Sequence, residues 1–433
     1  MDQKLPSLYK EYGQYSNYRN FPLDLDGLKP VERRVLFSAY KIARTKLSIS
    51  RKVDSYTTGN FHPHGECYGT IVQLVKQGFL TGQGNFGSNV GVESTGAAAP
   101  RYTQCRMNTR TLELAFKYIN YVEWVDTELE DREPLFLPTM YPICLLGNEP
   151  THGIGFGYKT YIPCYKAEDL YKRLQWLLGT RKRKPIIAPI TDCDILSDQT
   201  VLDELLMKGK AKVEVQGKID INSRTNTVTL KSWPPGKRFE SFLNKFSKEL
   251  SDGLIGFRDA SVSETEIIFQ VLRERNRDKI FADFIDKLQE VTKGVISFET
   301  VAVDINQKVV HNSIDDMLLN TFNMFMDTNK VMLEEEKSRI QNIIEEYNAL
   351  EIIRPVLADC IKPGYDIQAT TKEIEKATVV DAKTAEELIK KYRIAKLLTL
   401  DTDTTELNIQ FTELENKLKN MSAFVLKQYE EFK

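Results

Sequence analysis

Tyr102 follows Arg101 directly at the end of a glycine-dense run, GQGNFGSNVGVESTGAAAP (82–100). A phenol is a poor nucleophile near neutral pH because its pKa is about 10. It needs its proton removed or polarised by a metal, and cations to stabilise the charge that builds on the group attacked. An adjacent guanidinium favours phenolate character and can clamp a phosphate. Two of the four histidines fall together as His62-Pro63-His64. Imidazoles so placed can donate to phosphate oxygens or relay a proton. Gly82, Gly84 and Gly87 would let backbone approach a ligand closely. Bland readings stand beside these: Tyr102 is one of 19 tyrosines and by type alone would be a half-buried core residue. Arg101 in isolation is a surface charge, and the histidines are turn residues around Pro63.

Charge supports a phosphate-binding surface. Net charge is −2, but residues 29–110 hold twelve Lys or Arg against four acids, a local excess of +8 in an otherwise acidic chain. Residues 31–47 (VERRVLFSAYKIARTKL) read as an amphipathic basic helix entered through Pro30. A second helix is expected from about Cys67 to Gln77, ended by Gly78, and the glycine-dense stretch is loop or wing. Two short helices followed by such a wing fit a winged variant of the helix-turn-helix.

From about 134 to 300 the pattern is mixed α/β, with strands at 212–216 and 227–232 and helices at 166–178 and 238–250. Trp233-Pro234-Pro235-Gly236 is a breaker, and the RKRK run at 181–184 reads as a solvated loop. Beyond about 315 the chain turns helical. Leu407, Phe411, Leu414, Leu418, Met421 and Val425 form a heptad seam, with Leu333, Ile340 and Tyr347 upstream and Ile343 and Leu350 as a second track. The expectation is an antiparallel coiled coil capped by a small globule, its outgoing helix stopped by Pro355 and Pro363-Gly364.

Three stretches, DGLKPVERRVLF (26–37), FHPHGE (61–66) and GQGNFGS with AAAPRYT (82–88, 97–103), resemble the breakage-reunion subunit of type IIA DNA topoisomerases: bacterial gyrase, topoisomerase IV and the T-even phage enzymes. LPTMYPICLLGN with GIGFG (137–157) resembles the family's approach to its tower domain. The likeness is in order and similarly spaced over 19–165, and mostly architectural beyond. It implies an α+β multidomain chain: a winged-helix cleavage domain (1–130), an α/β tower (131–310), and a coiled coil ending in a dimer gate (311–433). It implies that Tyr102 attacks a DNA backbone phosphate and keeps the 5′ end as a phosphotyrosine, with Arg101, His62, His64 and Arg19 around that phosphate. Lys29, Arg33, Arg34, Gln83 and Asn85 become DNA-binding candidates. Ile154 matches an isoleucine the family wedges between base pairs, a step that kinks a duplex; its bland reading is a strand-core side chain. The implied partners are double-stranded DNA, a second copy of the chain, and an ATPase/TOPRIM subunit that supplies Mg²⁺ and uses ATP, in a heterotetramer or hetero-hexamer. This chain contributes no metal site of its own in that reading.

The remaining signals mostly exclude. There is no GxxxxGK[ST] phosphate loop. Asp192-Cys193-Asp194 reads as surface acid, and the six scattered cysteines as reduced, mostly buried thiols. No apolar run reaches the roughly 20 residues needed to span a bilayer, and the opening residues lack the plan of a signal peptide, so a cytoplasmic location is expected, the host cytoplasm if viral. The chain departs from the bacterial pattern in places. The segment Glu66-Cys67-Tyr68-Gly69 is about two residues short, Glu32 replaces a histidine, and Pro150 and His152 lengthen the turn before Ile154. The chain stops after the return coil, so a DNA-wrapping propeller and gyrase-type supercoiling are not expected of it. Compact size and divergent motifs point to a phage or other viral member. Two other classes fit parts of the pattern. One is a tyrosine recombinase, whose nucleophile typically follows a dispersed Arg, His and Arg set. The other is a non-catalytic DNA-bending protein.

Overall fold

Pro30 opens the basic helix as its sequence predicts, but the helix (α2, Pro30–Ile42) ends five residues early. Ala43 leaves helical geometry at φ −136° and ψ 37°. Before it runs α1 (Leu5–Asn20), and after it come β1 (Ser48–Ile49) and α3 (Ser50–Asn60). The sequence pattern does not predict α3. Next are α4 (Tyr68–Lys76), β2 (Leu80–Gln83) and β3 (Gln104–Met107), with the glycine-dense run joining the two strands. The three strands form an antiparallel sheet in the order β1-β3-β2. α2 packs on β3 and α4 on β2, and Val35, Leu36, Ile71, Leu74, Leu80, Cys105 and Met107 are buried. This computed structural model describes residues 5–127, 129–272, 275–360, 366–392 and 399–432. The fold is mixed α+β.

Two antiparallel sheets follow. Their elements are β4 (Thr151–Ile154), β5 (Lys159–Ile162), α5 (Ala167–Leu177), β6 (Asp194–Ile195), α6 (Gln199–Lys208) and β7 (Lys210–Gln216). Beyond them come β8 (Ile219–Asn222), β9 (Thr227–Leu230), β10 (Ile255–Asp259), β11 (Ile267–Val271), α7 (Arg277–Val291) and β12 (Lys293–Glu299). One sheet has the order β4-β5-β12-β7-β6 and the other β8-β9-β11-β10. The second covers a phenylalanine-rich core of Phe239, Phe242, Phe246, Phe269, Phe281 and Phe284. The expected helix at 238–250 is broken into Phe239–Leu243, a 3₁₀ turn and Ser247–Ser251. The 181–184 run is loop, where Lys184 pairs with Asp203. In α5, Arg173 is fully buried and bound by Asp315 at 2.6 and 2.8 Å, Asp203 at 3.3 Å and the Pro185 carbonyl at 2.9 Å.

The chain divides into two compact units, Met1–Phe325 with Tyr429–Lys433, and Met326–Gln428. The second is helical. It contains most of α8 (Ile314–Cys360), then α9 (Ile367–Ala377), α10 (Ala382–Lys391), α11 (Thr405–Lys419) and most of α12 (Met421–Phe432). Leu407, Phe411, Leu414, Leu418 and Met421 cluster with Leu333 and Ile340. Ion pair Lys337–Glu415 at 2.8 Å and hydrogen bond Gln428–Asn329 at 2.8 Å show the outgoing and returning helices running antiparallel. Ile344, not Ile343, joins that cluster, while Tyr347 and Leu350 pack into the globule with Ile374, Ala385 and Leu388. Pro355 does not stop the outgoing helix. α8 continues five residues past it, so the loss of one backbone bond is outweighed by burial of Ile353 and Leu357 on the globule. Pro363-Gly364 lies outside the described residues, as does the side chain of Cys360. The other five cysteines are buried thiols. Among the described residues, no helix is long and apolar enough to cross a membrane.

Candidate active site

The start of α3 builds the platform for Tyr102. A helix leaves its first backbone N–H groups without intrahelical partners. Here those of Ser50 and Arg51 donate to the Thr103 carbonyl at 2.9 Å and the Pro100 carbonyl at 3.1 Å. Thr103 Oγ1 donates to Ser50 Oγ at 2.8 Å, and the Tyr102 N–H closes a turn onto the Ala99 carbonyl at 2.8 Å. Thr103 is fully buried by this grip, which throws its neighbour outward: Tyr102 is 66% exposed. The Arg101 guanidinium lies 4.5 Å from the centre of the Tyr102 ring. A half-buried core role for Tyr102 is thus excluded.

The glycine-dense loop leans on this turn. Gly84 has φ +106°, and a Cβ there would stand 2.9 Å from the Tyr102 carbonyl oxygen. Its flanking residues Gln83 and Asn85 are exposed. Asn85 Oδ1 accepts from the Gly87 N–H at 2.8 Å, and its carbonyl accepts from Ala98 at 2.9 Å. Farther out, Asp259 of β10 accepts from the Val92 N–H at 2.7 Å, anchoring the loop on the second sheet.

The histidines belong to a second group, on α1, α2 and the turn after α3. Arg34 makes a bidentate pair with Glu133 at 2.7 and 2.8 Å, and its third nitrogen lies 3.3 Å from His62 Nδ1. A guanidinium only donates, so Nδ1 accepts and the neutral ring carries its proton on Nε2. Burial, then the charges of Arg34, His64 and Arg19, push the His62 pKa down to about 4. His64 is exposed, with Tyr15 Oη 2.5 Å from its Nε2 and its ring 5.2 Å from that of His62. Arg19, exposed on the last turn of α1, sits over Tyr15 at 5.8 Å.

Two of the expected DNA-binding arginines are engaged by partners within the chain. Arg33 is buried, with Nε and Nη2 on Asp26 at 2.7 and 3.0 Å and Nη2 also on the Leu28 carbonyl. Asp26 further accepts from the Leu28 and Leu137 N–H groups, both at 3.0 Å. Separating such a buried pair costs about 3–5 kcal/mol, so Arg33 holds its own turn together. Arg34 is likewise committed to Glu133 and His62. Lys29 reaches the His152 carbonyl at 2.7 Å, tying the start of α2 to β4. Glu32 is buried, its Oε2 accepting from the Lys29 N–H at 2.9 Å; burial raises its pKa.

Ile154 ends β4 and is 79% exposed, which excludes a strand-core role. Its neighbours explain why. A Cβ on Gly153 would lie 2.3 Å from the Asn20 carbonyl, and one on Gly155 2.2 Å from Asn17 Oδ1. The hairpin therefore presses its glycines onto α1 and turns Ile154 outward. The Phe156 N–H donating to Asn17 Oδ1 at 2.6 Å fixes the tip.

The model of the family formed by the A subunits of DNA gyrase and topoisomerase IV matches residues 19–432. This chain belongs to that family. It is 26% identical over 424 residues to the DNA gyrase A subunit of Aminobacterium colombiense, covering 90% of this chain and 50% of that one. It is 30% identical over 227 residues to the DNA gyrase A subunit of Clostridium acetobutylicum, covering 48% and 27%. To the DNA topoisomerase 4 A subunit of Caulobacter vibrioides it is 28% identical over 301 residues, covering 65% and 35%. The chain thus spans half or less of the length of these relatives. Several residues that support the candidate side chains have no signal of their own in the sequence: Ser50 and Thr103, which hold the loop, Tyr15 beside His64, and Glu133 on Arg34. Glu133 lies 99 positions from its arginine, and no local pattern could have paired them.

Among the described residues no three His, Cys, Asp or Glu side chains are placed to hold a metal ion. The side chain packed on Tyr102 is a cation. This donor set does not fit Mg²⁺.

Proposed function

We propose that this chain is the DNA-cleaving and religating subunit of a type IIA topoisomerase, with Tyr102 as nucleophile. One observation carries the reading: a tyrosine on a buried, hydrogen-bonded platform stands out into solvent with a guanidinium on its ring. In the reaction, the Tyr102 oxygen forms a bond to a backbone phosphorus as the bond to the 3′ oxygen breaks. The phenol proton leaves and the 3′ oxygen gains one. The phosphotyrosyl bond keeps the 5′ end, and attack by the 3′ hydroxyl reverses the step without ATP. Arg101 stabilises charge on the phosphate as it builds, and the His62, His64 and Arg19 group offers further donors to the same backbone. In this reading α2–α4 with their sheet form a winged-helix cleavage domain (1–130), followed by the tower (131–310), and 311–433 a coiled coil with a dimer gate. Ile154, outward on its hairpin, wedges and bends the duplex. Mg²⁺ and ATP belong to a partner ATPase/TOPRIM subunit, and two copies of this chain cut opposite strands.

The test is Tyr102→Phe in the complex with that partner. Wild type yields protein-linked double-strand breaks and the variant yields none while still binding DNA. Breaks that persist in the variant overturn the nucleophile. Adducts on the 3′ end point instead to a recombinase, and their absence in wild type to an architectural DNA-bending protein.

A further inference from the structure

We infer that Tyr68 is a positioning residue for Tyr102, its hydroxyl fixing the course of the 98–103 loop. This rests on the reading of Tyr102 as nucleophile. Tyr68 is the first residue of α4. The residue before it is pinned from below: the Cys67 N–H donates to Asp54 Oδ1 of α3 at 2.7 Å. From that fixed point the Tyr68 hydroxyl reaches the 98–103 loop. Its single proton goes to the Ala98 carbonyl at 2.5 Å, and its oxygen packs 3.0 Å from Thr103 Oγ1, whose own proton goes to Ser50 Oγ at 2.8 Å. It therefore bonds the loop before Arg101-Tyr102 and touches it just after them.

The two kinds of restraint do different things. The α3 N–H groups hold the Pro100 and Thr103 carbonyls, so they set how far the loop stands from that helix. Neither reaches Ala98. The Tyr68 hydroxyl, bonded to Ala98 and packed against Thr103, restrains the width of the turn between them beside the Tyr102 N–H bond to the Ala99 carbonyl. Turn width decides where the Tyr102 oxygen points. A misplacement of about 1 Å in a reacting group costs on the order of 100-fold in rate, far more than one neutral hydrogen bond contributes to folding. The hydroxyl should therefore matter to turnover more than to stability.

Tyr68→Phe keeps the ring and removes only the bond. In the complex with the ATPase/TOPRIM partner and Mg²⁺, using a duplex DNA substrate, the expected result is a kcat for cleavage lower by about 10- to 100-fold. KM for DNA stays within about twofold and Tm is nearly unchanged, the pattern of a lost positioning contact. Thr103→Val should reproduce the loss and Thr103→Ser, which keeps the hydroxyl, should restore turnover. Combining Tyr68→Phe with Thr103→Val should cost less than the sum of the two, because the side chains touch and restrain the same turn. An unchanged kcat in Tyr68→Phe overturns the proposal, and so does a parallel decline of kcat, DNA affinity and Tm, which marks a purely structural role. Wild type that forms no covalent DNA adduct refutes the nucleophile assignment itself, and the positioning role with it.

Discussion

Arg101 and His62 are both basic side chains assigned to the proposed site, but their surroundings give them different character. Arg101 is exposed and stacked on Tyr102, so its charge is available to a phosphate. Removing one pre-placed donor from a developing oxyanion typically costs about 10²- to 10³-fold in rate. Arg101→Ala should lower cleavage by that order with a smaller loss of DNA affinity, read from single-turnover cleavage beside equilibrium binding. His62 is neutral at pH 7 and carries its proton on Nε2. Its folded pKa, about 4, lies below the ordinary 6.5. Between those values the unfolded chain binds a proton that the folded one refuses, so stability is full above about pH 6.5 and declines as pH falls toward 4. Tm measured across that window should fall less steeply for His62→Asn than for wild type. A parallel fall would place the acid sensitivity elsewhere.

At the scale of elements, the legible parts of the sequence are those with local causes. The glycine run before Tyr102 announces a loop, and Pro30 announces a helix start. α3 is not legible. Its sequence, SRKVDSYTTGN, is rich in Ser and Thr and buries only Ser50, Val53, Asp54 and Thr57, too thin a stripe to register as a helical period. Yet its first turn holds the loop that carries Tyr102. The ion pairs of Arg33 with Asp26 and of Arg34 with Glu133 are illegible for a related reason. Charge type is visible in sequence, but the carboxylates that claim those charges are set by tertiary structure. Pro355 shows the same override, with packing carrying a helix past its usual breaker. Gly84 gives the element-scale test. Alanine there must adopt φ +106° and place a Cβ 2.9 Å from the Tyr102 carbonyl. Gly84→Ala should destabilise by about 1–3 kcal/mol in chemical denaturation and slow cleavage disproportionately, since the strain falls on the loop that carries Tyr102.

For the whole molecule, the proposed function divides the labour between this chain, with Tyr102 as nucleophile beside the Arg101 guanidinium, and a partner that carries Mg²⁺. On that proposal, the chain alone with Mg²⁺ should bind duplex DNA and leave it uncut, whereas adding an ATPase/TOPRIM partner should produce protein-linked breaks; this is read on a denaturing gel after trapping with detergent. Efficient cleavage by the chain alone would mean it assembles a metal site by itself. The family match over 19–432 is foreshadowed by short motifs within 26–157. The sheets and helices beyond those motifs become interpretable only through their packing.

The most direct test of Tyr102 as nucleophile is to trap the covalent complex, digest it with trypsin, and sequence the DNA-bearing peptide by mass spectrometry. Cleavage after Arg101 and Arg106 would release YTQCR, residues 102–106. The expected result is a nucleotide joined through its 5′ phosphate to Tyr102 in that peptide. A 3′ linkage, or an adduct on any other residue, would contradict it.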